Sequence, residues 1–207
     1  GSDAPVVCCN GAYIGTEKGT PVFARYFDTA LVREFLTFVY DRHWYVNWYI
    51  GTEIYAPEYR PEYFTAYRTT ADFVVTAVGN DYLRYTENVP QFVLRNLDDG
   101  IGGCLRAVQE HFGDQIVPQQ NTGTSLDINP PGVSKAVGVQ ALADAMGLCL
   151  DEVMVAGDAD NDYEMLEMGA FSVVPENGRP KAKERARYVT ASNDADGIAA
   201  AIEKFVL

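Results

Sequence analysis

The chain has 207 residues, 47% of them hydrophobic and 12% aromatic, which is enough material for one or two domains. Its 29 acidic and 16 basic residues give a net charge of −13, which argues against nucleic acid or a membrane surface as a partner. No apolar stretch approaches the roughly 18 residues of a membrane helix, and the N-terminus lacks the pattern of a signal peptide, so we expect a cytoplasmic protein. The four cysteines lack metal-site spacing, and no nucleophile motif accompanies the two histidines, which argues against a zinc site and a serine or cysteine triad.

The first part of the chain predicts an α+β segment. Asn10-Gly11 predicts a turn between two short strands, and Asp28 predicts the N-cap of an amphipathic helix that runs to about Asp41. Aromatic and β-branched residues on both sides of Gly51 predict two strands. The remaining predicted elements are a helix over Pro61–Phe73, a strand over Gln91–Leu97 and a helix over Asp99–Phe112.

After Pro130-Pro131 the pattern changes to short strands that alternate with helices. This alternation predicts a parallel sheet with crossover helices. The predicted helices are Ser134–Met146, Asn161–Met168, Pro180–Ala186 and Asp196–Phe205, and the predicted strands are Glu152–Ala156, Phe171–Val174 and Tyr188–Thr190.

The sharpest local feature is an acidic turn, Gly157–Asp162, directly after one of these predicted strands. Ligands of parallel sheets bind where the strands end, and Mg²⁺ takes one or two protein carboxylates together with water and substrate phosphate. Lys135 begins the preceding helix, and a right-handed crossover brings the start of that helix to the same sheet edge as Asp158. A lysine beside a metal-binding carboxylate is suited to holding a phosphoryl group.

The acidic turn and Lys135 also have three simpler interpretations. A calcium loop beginning at Asp158 fails, because it would place Tyr163 where glycine is required and Gly169 where glutamate is required. The turn also fits plain helix capping by Asp160 or Asn161, and Lys135 fits an ordinary surface charge.

Together these motifs resemble those of haloacid dehalogenase-superfamily phosphatases of the Cof-like branch. The matching residues are Gly157-Asp158-x-x-Asn161-Asp162, Gly132–Lys135 before it, and Pro175–Asn177 and Ser192–Gly197 after it. The resemblance implies an α/β fold, with a Rossmann-like parallel sheet over residues 1–13 and 127–207 and an inserted α+β cap domain over residues 14–126. It further implies Lys135 as the phosphate-orienting lysine, Asp158 and Asp162 as metal-site acids for Mg²⁺, and Asn161 as a substrate contact.

The family's nucleophile lies in an N-terminal D-x-D-x-T motif, and no D-x-D-G-T occurs in these 207 residues. Without an aspartate nucleophile no aspartyl-phosphate forms, so we expect this chain to be inactive alone. We also expect the core sheet to lack a central strand, which leaves an unpaired edge that favours self-association.

The resemblance therefore predicts a Mg²⁺-dependent phosphatase for a small phosphorylated metabolite. Two alternatives stay open: a sugar-phosphate phosphatase or phosphomutase of the same superfamily, and a non-catalytic scaffold or phosphate-ligand-binding protein. The many aromatic residues of the cap segment fit either a small core or the wall of a sugar or cofactor pocket.

Overall fold

The computed structural model describes residues 4–16, 21–67, 74–95 and 100–207. The chain divides into two compact units, which we describe separately. Unit 1 comprises Gly1–Phe23 and Gly132–Leu207, and unit 2 comprises Ala24–Pro131. Within the described ranges, no helix is long and apolar enough to cross a membrane.

Unit 2 is built on a six-stranded sheet with two helices. In spatial order the strands are β6 (Val75–Ala77), β5 (Glu53–Ala56), β4 (Tyr45–Ile50), β7 (Phe92–Arg95), β9 (Ser125–Asn129) and β8 (Val117–Thr122). The helices are α1 (Thr29–Asp41) and α2 (Gly102–Phe112), and 3-10 turns cover Pro61–Tyr67, Gly79–Arg84 and Gly113–Gln115.

The core of unit 2 lies between one face of this sheet and its helices. Phe35 of α1 packs against Phe92 of β7 and Phe112 of α2, with ring centroids 4.5 and 5.4 Å apart. Trp48 of β4 is fully buried in the same cluster, so this tryptophan serves the core. Burial of large aromatic side chains of this kind is the main stabilising contribution to such a small unit.

Several predictions for this segment are confirmed. Asp28 caps α1 by accepting from the backbone N–H groups of Ala30 and Leu31, at 2.8 and 3.4 Å. Strands β4 and β5 pair antiparallel around Gly51, and α2 ends at Gly113. The helix predicted over Pro61–Phe73 is wrong in type over Pro61–Tyr67, where the structure has a 3-10 turn, and its remainder lies outside the described residues.

Unit 1 contains two three-stranded sheets. The first joins β1 (Val6–Cys8), β2 (Tyr13–Gly15) and β3 (Phe23–Ala24), which extends one residue past the boundary at Phe23. β1 pairs antiparallel with β2 through the turn predicted at Asn10-Gly11. The second is parallel, in the order β10 (Met154–Ala156), β11 (Phe171–Pro175) and β12 (Tyr188–Thr190). This confirms the parallel sheet predicted from the alternating pattern.

Four helices pack around these sheets: α3 (Lys135–Met146), α4 (Tyr163–Glu167), α5 (Pro180–Lys183) and α6 (Gly197–Phe205). Ser134 caps α3 and Gly147 ends it in the left-handed conformation, as the sequence predicts for a helix over these residues. Helices α4 and α5 are shorter than predicted, because the segment Asp160–Asp162 forms a 3-10 turn and α5 stops at Lys183.

Candidate active site

The acidic turn lies where the sequence places it, at the carboxyl end of β10. Asp158 lies two residues after the end of this strand, and the 3-10 turn Asp160–Asp162 leads into α4. Asp158 and Asp160 are exposed, Asn161 is half-buried and Asp162 is buried. The four polar residues therefore differ in what they can contact.

Asp162 is the structural centre of the turn. One carboxylate oxygen, Oδ2, accepts the backbone N–H groups of Asp158 and Ala159 at 2.8 and 3.0 Å. The other, Oδ1, lies 2.6 Å from Nζ of Lys135. Gly157 makes this arrangement possible, since a Cβ on that residue would lie 2.5 Å from Cβ of Asp162.

Lys135 is brought to this carboxylate by the packing of α3. It is the first residue of that helix, and its side chain stays 33% exposed while that of Asp162 is 3% exposed. The start of α3 is fixed by close approach of Gly11, whose Cβ, if present, would lie 2.1 Å from the Ser134 carbonyl oxygen. Gly11 also has φ of +94°, a conformation that glycine adopts without strain. The chain thus places a partly exposed lysine side chain beside a buried acid.

Arg179 contacts both exposed acids of the turn, Asp160 through its side chain and Asp158 through its backbone. Asp160 pairs with the guanidinium of Arg179 and accepts a hydrogen bond from the Tyr163 hydroxyl. Arg179 also donates its backbone N–H to the carbonyl oxygen of Asp158, at 2.9 Å. Arg179 was not predicted as a site residue; its position in the loop after β11, at the same sheet edge as Asp158, is the sequence signal that could have identified it.

The donor set of this turn fits Mg²⁺ better than Ca²⁺. Among the described residues, the only three acidic, cysteine or histidine side chains with ligand atoms within 4.8 Å of one another are Cys149, Asp151 and Glu152, at the other end of β10. The Asp158 turn is therefore not a preassembled protein cage. The Asp160 carboxylate is paired with Arg179, which leaves the exposed carboxylate of Asp158, beside Asp162 and Lys135, as the group that could hold Mg²⁺. Mg²⁺ keeps several waters and takes oxygens from substrate phosphate, so it does not need a full protein cage.

An open slot lies beside β10. Within the described residues this strand pairs with β11 and stands at the edge of its sheet. A cavity of about 370 Å³ adjoins it, with Lys135 and Asp162 among its lining residues. The other lining residues are Val7, Cys8, Cys9, Asn10, Gly11, Val139, Ala156 and Met165.

A second groove, of about 750 Å³, also borders β10. It is lined mainly by apolar side chains, among which Phe205 and Val206 remain 42% and 60% exposed. Parallel sheets are normally covered on both faces and rarely leave such a strand open. Among the described residues, no strand pairs with the free side of β10.

Two motifs used for the resemblance connect the neighbouring loops. Asn177, after β11, accepts the backbone N–H of Asn193 at 3.0 Å and the Ser192 hydroxyl at 3.3 Å, through its Oδ1. Asn193 follows β12, so this bond ties two loops at the same edge of the sheet as Asp158. The loops after β11 and β12, at the same sheet edge as Asp158, are therefore linked to each other by hydrogen bonds.

Curated relatives match part of this chain. A Streptococcus pyogenes protein named as a candidate phosphatase is 39% identical over 109 residues, which are 53% of this chain and 40% of that protein. The 5-amino-6-(5-phospho-D-ribitylamino)uracil phosphatase of Escherichia coli is 35% identical over 114 residues, 55% of this chain and 42% of that protein. The chain spans less than half the length of the curated relatives it matches.

Solved structures match the fold over nearly the whole chain. A haloacid dehalogenase-like hydrolase from Bacteroides thetaiotaomicron superposes with a TM-score of 0.84 at 22% identity, and covers 98% of this chain and 76% of its own. The family model for haloacid dehalogenase-like hydrolases matches residues 1–202. With its parallel sheet, its acidic turn and this match, the chain belongs to the haloacid dehalogenase-like hydrolase family.

Proposed function

We propose that this chain forms the larger part of a Mg²⁺-dependent phosphatase that acts on a small phosphorylated metabolite. The observation that carries the proposal is the contact of 2.6 Å between Lys135 and Asp162, at the strand end where Asp158 is exposed. Membership of the hydrolase family supports the reaction class. The name of the Escherichia coli relative, which specifies a phosphorylated ribitylaminouracil, supports a small substrate.

Each residue has a distinct part in this proposal. Lys135 orients the phosphoryl group with its ammonium, which Asp162 holds in place. Asp158 is a direct Mg²⁺ ligand, Asp162 is the second acid of the metal site, and Asn161 contacts phosphate or substrate. Bound Mg²⁺ supplies positive charge that stabilises the charge developing on the transferred phosphoryl group.

The nucleophilic aspartate belongs to a segment outside these 207 residues. The open edge of β10 and the slot that contains Lys135 support this part of the proposal, because a strand paired there brings its end to the same sheet edge as Asp158. The chain alone is then inactive, and its open edge favours self-association. Sedimentation velocity tests the second point, since a concentration-independent monomer would contradict it.

Metal binding is tested by thermal denaturation with and without Mg²⁺. A ligand at ten times its Kd stabilises the folded state by about 1.4 kcal/mol. We expect Mg²⁺ to raise the Tm of the natural chain and of Asp160→Asn, and to leave that of Asp158→Asn unchanged. An equal Mg²⁺ shift in Asp158→Asn would contradict the metal assignment.

Catalysis is tested with the gene extended upstream. We expect the codons before Asp3 to encode D-x-D-x-T in frame, and the extended protein to hydrolyse phosphate monoesters with a rate that Lys135→Ala lowers severalfold. Product analysis with sugar phosphates separates hydrolysis from mutase activity. If the extended protein binds orthophosphate without turnover, the non-catalytic alternative replaces the phosphatase.

A further inference from the structure

The acidic turn of unit 1 carries three aspartates at alternate positions, Asp158, Asp160 and Asp162. This is the spacing of the first, third and fifth ligand positions of a calcium-binding loop, although Tyr163 and Gly169 stand where such a loop needs glycine and glutamate. Three carboxylates so close in the chain could gather around one cation. The partners of these carboxylates therefore decide which cation the turn can hold.

Two of the three aspartates are paired with cationic side chains. Asp162 contacts the Lys135 ammonium through Oδ1, and its Oδ2 accepts two backbone N–H groups. Asp160 accepts from the guanidinium of Arg179 through Oδ2 and from the Tyr163 hydroxyl through Oδ1. All the carboxylate oxygens of Asp160 and Asp162 therefore have a partner within the chain.

Arg179 is held beside the turn by its backbone. It donates its backbone N–H to the carbonyl oxygen of Asp158 at 2.9 Å. The preceding Gly178 lies equally close, since a Cβ on that residue would lie 3.5 Å from Cα of Asp158. The side chains of Arg179 and Asp160 are 59% and 60% exposed, so their ion pair is open to solvent. The fold thus fixes where the guanidinium starts, and its charge keeps it on Asp160.

A free Asp160 would change the preference of the turn for a cation. It would offer a second exposed carboxylate two residues from Asp158. Ca²⁺ takes more oxygen ligands than Mg²⁺ and accepts them in a flexible geometry, whereas Mg²⁺ demands near-ideal octahedral geometry and keeps several waters. An additional carboxylate would therefore benefit Ca²⁺ more than Mg²⁺.

We propose that Arg179 determines the cation selectivity of this turn. Its guanidinium holds the Asp160 carboxylate away from the metal, which leaves Asp158 as the exposed ligand and favours Mg²⁺ over Ca²⁺. The inference rests on the metal site proposed above and adds a positioning residue to it. Arg179 acts on Asp160 as Lys135 acts on Asp162, since each cation occupies one acid of the calcium-like spacing.

Four variants separate this role from a general effect of charge. Arg179→Ala frees Asp160 and keeps the backbone N–H that bonds to Asp158. The double variant Arg179→Ala with Asp160→Asn removes the freed carboxylate again. Arg179→Lys keeps a cation for Asp160, and Lys181→Ala removes one positive charge from an exposed residue of α5 as the matched control. The substituted side chains are all exposed, so we expect the variants to remain folded.

The test measures the Kd of Mg²⁺ and of Ca²⁺ from the Tm of the chain over a series of MgCl₂ and CaCl₂ concentrations at constant ionic strength. Asp158→Asn gives the background from divalent cations that bind elsewhere on this acidic chain. An exposed ion pair contributes up to about 1 kcal/mol, which corresponds to a change of up to about fivefold in a binding constant.

We expect the ratio of the Mg²⁺ Kd to the Ca²⁺ Kd to rise about threefold to fivefold in Arg179→Ala. In Arg179→Lys, Lys181→Ala and the double variant, the ratio should stay within about twofold of the natural chain. A smaller rise in Arg179→Ala, an equal rise in Lys181→Ala, or a rise that persists in the double variant would overturn the role of Arg179 and leave the metal site standing. A Mg²⁺ shift that Asp158→Asn does not reduce would instead contradict the metal site, and the inference with it.

Discussion

Replacing Asp162 by asparagine tests how the candidate site is assembled. The natural carboxylate accepts two backbone N–H groups and the Lys135 ammonium, whereas an amide has one oxygen. If the amide oxygen of the new asparagine accepts from the backbone, its NH₂ group faces the Lys135 ammonium, and two donors then meet. If the amide is flipped, the backbone N–H groups of Asp158 and Ala159 lose their acceptor. Either orientation loses at least one hydrogen bond to a charged group, worth about 1.5–3 kcal/mol.

The expected loss is about 2–3 kcal/mol for the whole substitution, since the partly exposed Lys135 recovers some hydration. For a unit of about 100 residues, the size of unit 1, that corresponds to a Tm lower by roughly 8–24 °C. The matched control is Asp160→Asn in the same turn. Its ion pair with Arg179 is about 60% exposed on both sides, so we expect a loss below about 1 kcal/mol.

The two units can be followed with different probes. Both tryptophans, Trp44 and Trp48, belong to unit 2, so their fluorescence reports on that unit. Hydrogen exchange of amides in β10–β12 reports on unit 1. We expect Asp162→Asn to increase exchange in unit 1 and to leave the tryptophan transition unchanged. A Tm within 1 °C of the natural chain, or equal losses for the two variants, would refute the structural role of Asp162.

Two further predictions concern the packing of unit 1 and the pH dependence of unit 2. Gly11→Ala should lower the stability of unit 1 by at least about 2 kcal/mol in urea denaturation, because the new Cβ would clash with the Ser134 carbonyl oxygen. The control is Gly169→Ala, which should cost less because Gly169 also has a positive φ, +103°, but has open space around it. Equal losses of stability in the two variants would contradict the close approach of Gly11 to Ser134. Burial, and then the carboxylate of Glu53, raise the pKa of Tyr55 to about 12, against about 10 in an unfolded chain. The folded state therefore holds the neutral phenol, and the stability it contributes is complete below pH 10 and falls by about 1.4 kcal/mol per pH unit between pH 10 and 12. Tyr55→Phe should reduce this alkaline loss in tryptophan-monitored denaturation, and an unchanged pH profile would show that the phenol does not contribute.

Elements with strong local signals could be predicted from the sequence. Helix α1 combines an N-cap aspartate with apolar residues at helical spacing, and α3 lies between a serine cap and a left-handed glycine. Such signals act within a few residues and do not require the rest of the fold. The parallel sheet of unit 1 was predictable for a related reason, since strands that alternate with helices have few other ways to pair.

Three strands of unit 2 had no adequate local signal. β8, with the sequence Val-Pro-Gln-Gln-Asn-Thr, is polar and contains Pro118, yet it pairs with β9 along the edge of the sheet. Proline is tolerated at an edge, where one side of the strand has no neighbour to bond. β6 and β9 were also missed, because pairing with distant strands, rather than propensity, holds them in place.

At the candidate site, the sequence by itself determined which groups come together. Helix α3 begins at Lys135 and is followed by β10, which leads into the acidic turn. Because the segments between these elements are short, the right-handed crossover alone brings Lys135 to the Asp158 turn. Only the tertiary structure decided that Asp162 points inward, with its oxygens taken by Lys135 and two backbone N–H groups, while Asp158 faces outward. The same holds for the edge of β10 that no described strand covers, because strand neighbours depend on residues far apart in the chain.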